Sequence, residues 1–146
     1  MKFSPEQLIQ VDCVEFTRIM CPEVLLIASM NGMYLGGLRN VGAYIAKMKK
    51  LGMRTGDLDL RLHWVGGYRG RTPDDDFDYP KTAYIELKAG RNKLTDEQLD
   101  VMAGLKRIGI PYDWTNSLVG YVDILKKFGV PMRSGFYAGV GMITKN

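Results

Sequence analysis

Three observations predict an α/β fold, a mixed central sheet with helices on its faces. Residues 58–64 and 82–88 alternate apolar and polar side chains with the two-residue period of a strand. Residues 5–20, 40–51, 96–108 and 117–128 read as helices, from recurring apolar positions and end signals. The segments interleave as helix, strand, helix, strand, strand, helix, strand, helix, an order that layers helices against a sheet. With 146 residues, 46% hydrophobic and 25% charged, the chain suits one domain over 1–146, with no repeat and no dividing linker.

In the first helix Ser4 stands at the N-cap and Pro5 at N1; Ile9, Cys13, Phe16 and Met20 share a face, and Pro22 closes it. Residues 24–29 read as a short buried strand ending at the turn Asn31-Gly32. The helix over 40–51 stops at Gly52. In the next strand Leu58, Leu60, Leu62 and Trp64 face one way, Asp59, Arg61 and His63 the other. Gly66, Gly67, Gly70, Pro73 and the acids Asp74, Asp75, Asp76 and Asp78 form a long hairpin loop. The returning strand sets Ala83, Ile85 and Leu87 against Tyr84, Glu86 and Lys88.

The third helix opens with a capping box, Thr95 at the N-cap and Gln98 at N3, and a staple of Leu94 with Leu99. Val101, Leu105 and Ile108 make its buried stripe, and Gly109 ends it. A short strand over 112–115 precedes the last helix, whose Leu118, Val122, Leu125 and Phe128 face inward. There Lys126 and Lys127 suit the C-terminal dipole and Gly129 sits at C′. No pattern places the tail from residue 131 onward.

Several functions drop out. The longest apolar run, residues 24–28, is too short to cross a membrane. Lys2 is followed by no apolar stretch of the kind a secretory signal needs, so a cytoplasmic, reducing location is expected. Cys13 and Cys21 fit neither a disulfide scaffold nor a zinc site. Gly36-Gly37 and Gly66-Gly67 are not followed by the Gly-Lys-Ser/Thr of a phosphate-binding loop. His63 is the only histidine, which removes any two-histidine mechanism; a polar strand-end residue or a DNA contact suits it better than a general base. The net charge of +4 is modest, but Lys47, Lys49, Lys50 and Arg54 precede the central strand, and Arg69 and Arg71 follow it. Such grouping favours a polyanion, and an ordinary solvated surface explains it equally well.

If the two alternating strands pair as a hairpin, Asp59, Glu86 and Lys88 project from one side of the sheet. Two adjacent carboxylates repel unless a cation lies between them, and oxygen ligands without paired histidines or thiols suit Mg²⁺ or Mn²⁺ rather than zinc. The lysine could orient or activate a water and offset charge developing on a phosphate. Taken alone, Asp plus Glu-x-Lys is explained better by an ion pair on an exposed strand; the order of the surrounding motifs changes the balance.

Gly56-Asp57-Leu58-Asp59-Leu60, then Ile85-Glu86-Leu87-Lys88-Ala89, then Leu94-Thr95-Asp96-Glu97-Gln98 resembles the PD-(D/E)XK restriction-endonuclease-like core, more narrowly its VRR-NUC (virus-type replication-repair nuclease) branch. Glu6 and Gln10 match that branch's N-terminal Glu-x-x-x-Gln, and Asn31-Gly32 its Asn-Gly turn; the likeness spans about 5–128. Leu58 replaces the family's proline, which makes Asp57 a rival to Asp59. The resemblance implies Asp59, Glu86 and the Leu87 backbone carbonyl as ligands of Mg²⁺ or Mn²⁺, with Lys88 as the catalytic lysine. It implies catalytic support from Gln98 and Glu6, although a capping role accounts equally for Gln98, and a first-turn carboxylate accounts better for Glu6. Tyr84 could touch substrate or simply cover the sheet.

By the same likeness the partner is DNA, branched or duplex. The expected activity is a structure-selective endonuclease similar to the Holliday-junction resolvases of phage and bacteria, acting as a homodimer. A catalytically silent DNA-binding or replication-complex subunit, and a sequence-specific restriction-type nuclease, are the alternatives.

Overall fold

The structure is a computed structural model, and it describes residues 3–29, 40–68 and 77–134. The elements run α1 (Pro5–Met20), β1 (Leu25–Ala28), α2 (Val41–Lys50), β2 (Leu60–Tyr68), β3 (Phe77–Leu87), α3 (Asp96–Arg107), β4 (Tyr112–Thr115) and α4 (Leu118–Lys127). This is the expected order. Ser4 caps α1 in a reciprocal box with Gln7, and Thr95 caps α3 in another with Gln98, so these two boundaries are fixed locally. Asn40 caps α2 and Ser117 caps α4 through their side-chain oxygens.

The strands form one mixed sheet in the order β1-β2-β3-β4, with β1–β2 and β2–β3 antiparallel and β3–β4 parallel. One face carries Leu60, Leu62, Trp64, Ala83, Ile85 and Leu87 into the larger core, against Cys13, Phe16 and Met20 of α1 and Tyr121, Val122, Ile124 and Leu125 of α4. On the other face a smaller core joins Val101, Met102 and Leu105 of α3 to Leu58, with Tyr84 and Tyr112 packed beside it. Cys13 and Cys21 are free and buried, and burial pushes their thiols up to about 12 and about 11. Among the described residues no helix is long and apolar enough to cross a membrane.

Several expectations need correction. Residues 24–29 were expected to be a buried strand, but β1 is an edge strand in the described sheet, with Leu25 and Ile27 exposed and only Leu26 turned toward the larger core. Leu58 does not share the face of Leu60. The chain bends at Asp59, ahead of β2, so the strict alternation starts at Leu60, and Leu58 packs under α3 instead. In α3 Ile108 is exposed and Met102 fills the stripe; Leu99, the outer half of the expected staple, is also exposed.

The β2–β3 hairpin extends beyond 58–64 and 82–88. Gly66 and Gly67 lie inside it, paired with Tyr79 and Asp78, and the expected loop shrinks accordingly. Asn31-Gly32, Gly36-Gly37, Arg69, Gly70, Arg71, Pro73, Asp74, Asp75 and Asp76 lie outside the described residues. Tyr121 and Ile124 join Val122 and Leu125 in the core, while Leu118 and Phe128 pack only at its margin. Tyr121 is fully buried because its hydroxyl is satisfied by Thr17 Oγ1 at 2.7 Å.

Gly56 ties the approach to β2 onto α3. Its φ is +81°, and a Cβ there would lie 2.5–2.7 Å from the backbone and Cβ of Glu97. Gly52 has φ +98° with nothing within 4 Å of a built Cβ. Gly56→Ala is expected to cost roughly 2–4 kcal/mol, strain and overlap together, and Gly52→Ala about 1 kcal/mol of strain alone. Equal shifts in urea midpoint for the two variants would contradict this packing.

Candidate active site

The bend before β2, the end of β3 and the first turn of α3 meet at a cleft of about 300 Å³, lined by Glu6, Asp57, Asp59, Glu86, Glu97 and Gln98 together with Thr55, Gly56 and Thr95. The sheet register pairs Leu60 with Ile85, which brings Asp59 and Glu86 to the same level of the two strands. Asp59 is held twice. Its carbonyl accepts the Ser29 amide at 2.7 Å, and its Oδ2 accepts the Leu87 amide at 2.8 Å.

Glu86 is 1% exposed and Lys88 7%. The Lys88 ammonium lies 2.6 Å from Glu86 Oε1, and Gln98 Nε2 donates to that same oxygen. Glu86 Oε2 is buried without a hydrogen-bond partner. Desolvation of two carboxylates costs free energy, and one lysine compensates only part of it. Burial pushes the Glu86 carboxyl up to about 7, with the Asp59 charge adding to the rise and Lys88 opposing it. Asp59 is raised as well, first by burial and then by Glu6 and Asp57, against the Leu87 amide and Lys88.

The expected trio Asp59, Glu86 and Lys88 is therefore brought together. Gln98 makes two contacts at once: its Oε1 accepts the Thr95 amide at 2.9 Å while its Nε2 donates to Glu86. Glu6 lines the cleft and its charge reaches Asp59; Gln10 is not part of the lining. Asp57, the rival, also lines the cleft, but its carboxylate meets Arg61 at 3.5 Å and Ser29 Oγ at 3.4 Å. His63 stands apart, with Nδ1 2.8 Å from Thr82 Oγ1. Tyr84 covers the sheet beneath Arg61, whose guanidinium lies 5.0 Å from its ring centroid. Glu97 and Thr55 were not singled out as site residues; the contact between Gly56 and Glu97 puts them there, and no local spacing announces it.

Fold and cleft together place the chain in a class: a mixed α/β sheet with an acidic cleft where two neighbouring strands meet a capped helix. More particularly, the fold is that of a solved "VRR_NUC domain protein", matched with a TM-score of 0.57 and 16% identity over 90% of this chain and 93% of that one. The resemblance seen in the motifs is met at the level of fold. No family model and no curated protein matches the sequence.

Because the folded pKa of Glu86 lies above its ordinary 4.5, the folded state binds the extra proton. Its stability is then fully present below about pH 4.5 and is lost as pH rises through about 7. In EDTA, the unfolding free energy of wild type relative to Glu86→Gln should fall by up to about 3 kcal/mol between pH 4.5 and 8. A flat difference in urea titrations across that range would mean that burial does not burden this carboxylate.

Proposed function

We propose that the chain is a divalent-metal-dependent endonuclease that hydrolyses DNA phosphodiester bonds, selective for branched DNA and working as a homodimer. One observation carries the reading: Glu86 is buried, paired to Lys88 through one oxygen, and holds its other oxygen unpartnered beside Asp59 in an acidic cleft. A carboxylate arranged for stability alone gains nothing from an orphaned buried oxygen. A hard cation satisfies it and relieves the repulsion that raises both acids.

Among the described residues no three Asp, Glu, His or Cys side chains converge to enclose an ion by themselves. That suits Mg²⁺ or Mn²⁺ held by two carboxylates and completed by backbone and water oxygens. Asp59, Glu86 and the Leu87 carbonyl are the proposed ligands. A bound ion would supply Lewis acidity at a phosphoryl oxygen and lower the pKa of an attacking water. The protein residues do the rest. Lys88, fixed by Glu86, offers an ammonium to the negative charge that builds on the phosphate. Gln98 keeps the Glu86 carboxylate in one orientation, and Glu6 at the cleft wall holds or orients a water. The products carry 5′-phosphate and 3′-hydroxyl ends. A dimer places two such clefts on the two arms of a symmetric junction.

Four-way-junction, flap, single-stranded and duplex DNA, incubated with Mg²⁺, Mn²⁺ or EDTA, test this reading. Cutting should require the ion and fall at least about a hundredfold in Glu86→Ala and Lys88→Ala. Binding of these DNAs without cutting by wild type would instead identify a silent DNA-binding subunit. A monomer in light scattering would remove the dimer and leave the nuclease standing.

A further inference from the structure

Trp114 is 45% exposed, whereas the other tryptophan, Trp64, is 4% exposed. Trp114 lies on the short edge strand β4, paired in parallel register with Glu86. Residues paired across a sheet share a face, so the indole stands on the side of Glu86 and Lys88, across Glu86 from Asp59 on β2. Its strand neighbours point away: Asp113 receives Lys127 of α4 at 2.8 Å, and Thr115 is buried. Tyr112, two residues earlier on the same face, is covered by α3. The cover stops there, and the large ring is left in solvent.

The connection from β3 to α3 runs past the same edge. Asn116 Nδ2 donates to the Gly90 carbonyl at 3.4 Å, which holds this connection to the strand that carries Trp114. The connection exposes Arg91 and Lys93, neither of which has a carboxylate partner among the described residues. An exposed indole on the sheet face of Glu86, with two exposed cations on the connection tied to its strand, has the chemistry of a nucleotide subsite. Bases stack on the ring, and the cations take the phosphates.

We propose that Trp114 stacks on an unpaired base of the substrate strand while Arg91 and Lys93 hold the phosphates next to it. The inference rests on the nuclease reading for its polyanionic partner, and it sharpens that reading: the strand offered to the cleft is unpaired on one side of the cleaved bond. A fully stacked duplex presents no base face to the ring and gains only the phosphate contacts. Among branched DNAs this favours flaps and other forms that carry a single strand over fully paired junctions.

Trp64→Phe leaves Trp114 as the single indole and provides the probe. A twelve-nucleotide oligothymidylate titrated in EDTA should quench and shift its emission, while a blunt twelve-base-pair duplex should change it little. Trp114→Ala should weaken binding of the single strand about tenfold or more, with duplex binding unchanged and far-ultraviolet circular dichroism preserved; Trp114→Phe should recover most of the loss. Unmoved emission at saturating oligonucleotide, or equal affinity in Trp114→Ala, would overturn the proposal. Equal losses for duplex and single strand would do the same, since they denote a general electrostatic or structural effect. An oligoribothymidylate arm bound equally well would keep the stacking role and make it indifferent to sugar. Because binding is read without metal, the two readings fail separately. Single-strand binding through Trp114 without any cutting leaves this inference standing and removes the nuclease, and cutting that is indifferent to Trp114 does the reverse.

Discussion

The buried contact of Glu86 with Lys88 is the constraint around which the rest of this molecule is arranged. A carboxylate and an ammonium taken out of water lose several kcal/mol of hydration each, and their mutual attraction seldom returns more than that. Here the pair is also incomplete. Lys88 and Gln98 both serve Oε1, while Oε2 is buried without a hydrogen-bond partner. With Asp59 on the neighbouring strand, the result is a concentration of negative charge that the fold tolerates rather than exploits for stability.

The surrounding structure is what makes this tolerable. The larger core fixes β2 and β3 from one side through Leu60, Leu62, Ile85 and Leu87, and alternation then forces Glu86 and Lys88 to the other. On that side α3 starts at the cleft because Thr95 caps it there, and the cap residue Gln98 reaches on to Glu86. Gly56 permits the close approach that closes the cleft wall against Glu97. Asp59 is thus positioned by the Leu87 and Ser29 amides, and Glu86 by core packing beneath β3 together with Lys88 and Gln98.

Much of this was legible in the chain, and the reason is locality. The capping boxes of Ser4 with Gln7 and Thr95 with Gln98 depend on residues three apart, and only the second was read in full before the structure. Alternation gave the facing of Ala83, Ile85 and Leu87 because a strand's geometry repeats every two residues. What depended on distant partners was not legible. Leu58 looks like the first residue of the alternating run, and only α3 above it explains its opposite burial. Tyr121 stands outside the stripe of Leu118, Val122, Leu125 and Phe128, and only Thr17, on another helix, accounts for its buried hydroxyl. The exposure of Leu25 follows from β1 lying at the edge of the described sheet, which its apolar composition does not reveal. In the cleft, the meeting of Asp59, Glu86 and Lys88 was legible by motif order, whereas the two contacts of Gln98 and the engagement of Asp57 by Arg61 required three dimensions.

The central claim is that a divalent cation sits between Asp59 and the free oxygen of Glu86. Crystals soaked in Mn²⁺ above pH 7.5 and measured for anomalous scattering test it without reference to activity. The account predicts a peak in the cleft within bonding distance of one oxygen from each carboxylate, absent from Glu86→Gln crystals treated alike. A cleft without a peak at saturating Mn²⁺, or a peak of equal height in the variant, would contradict it.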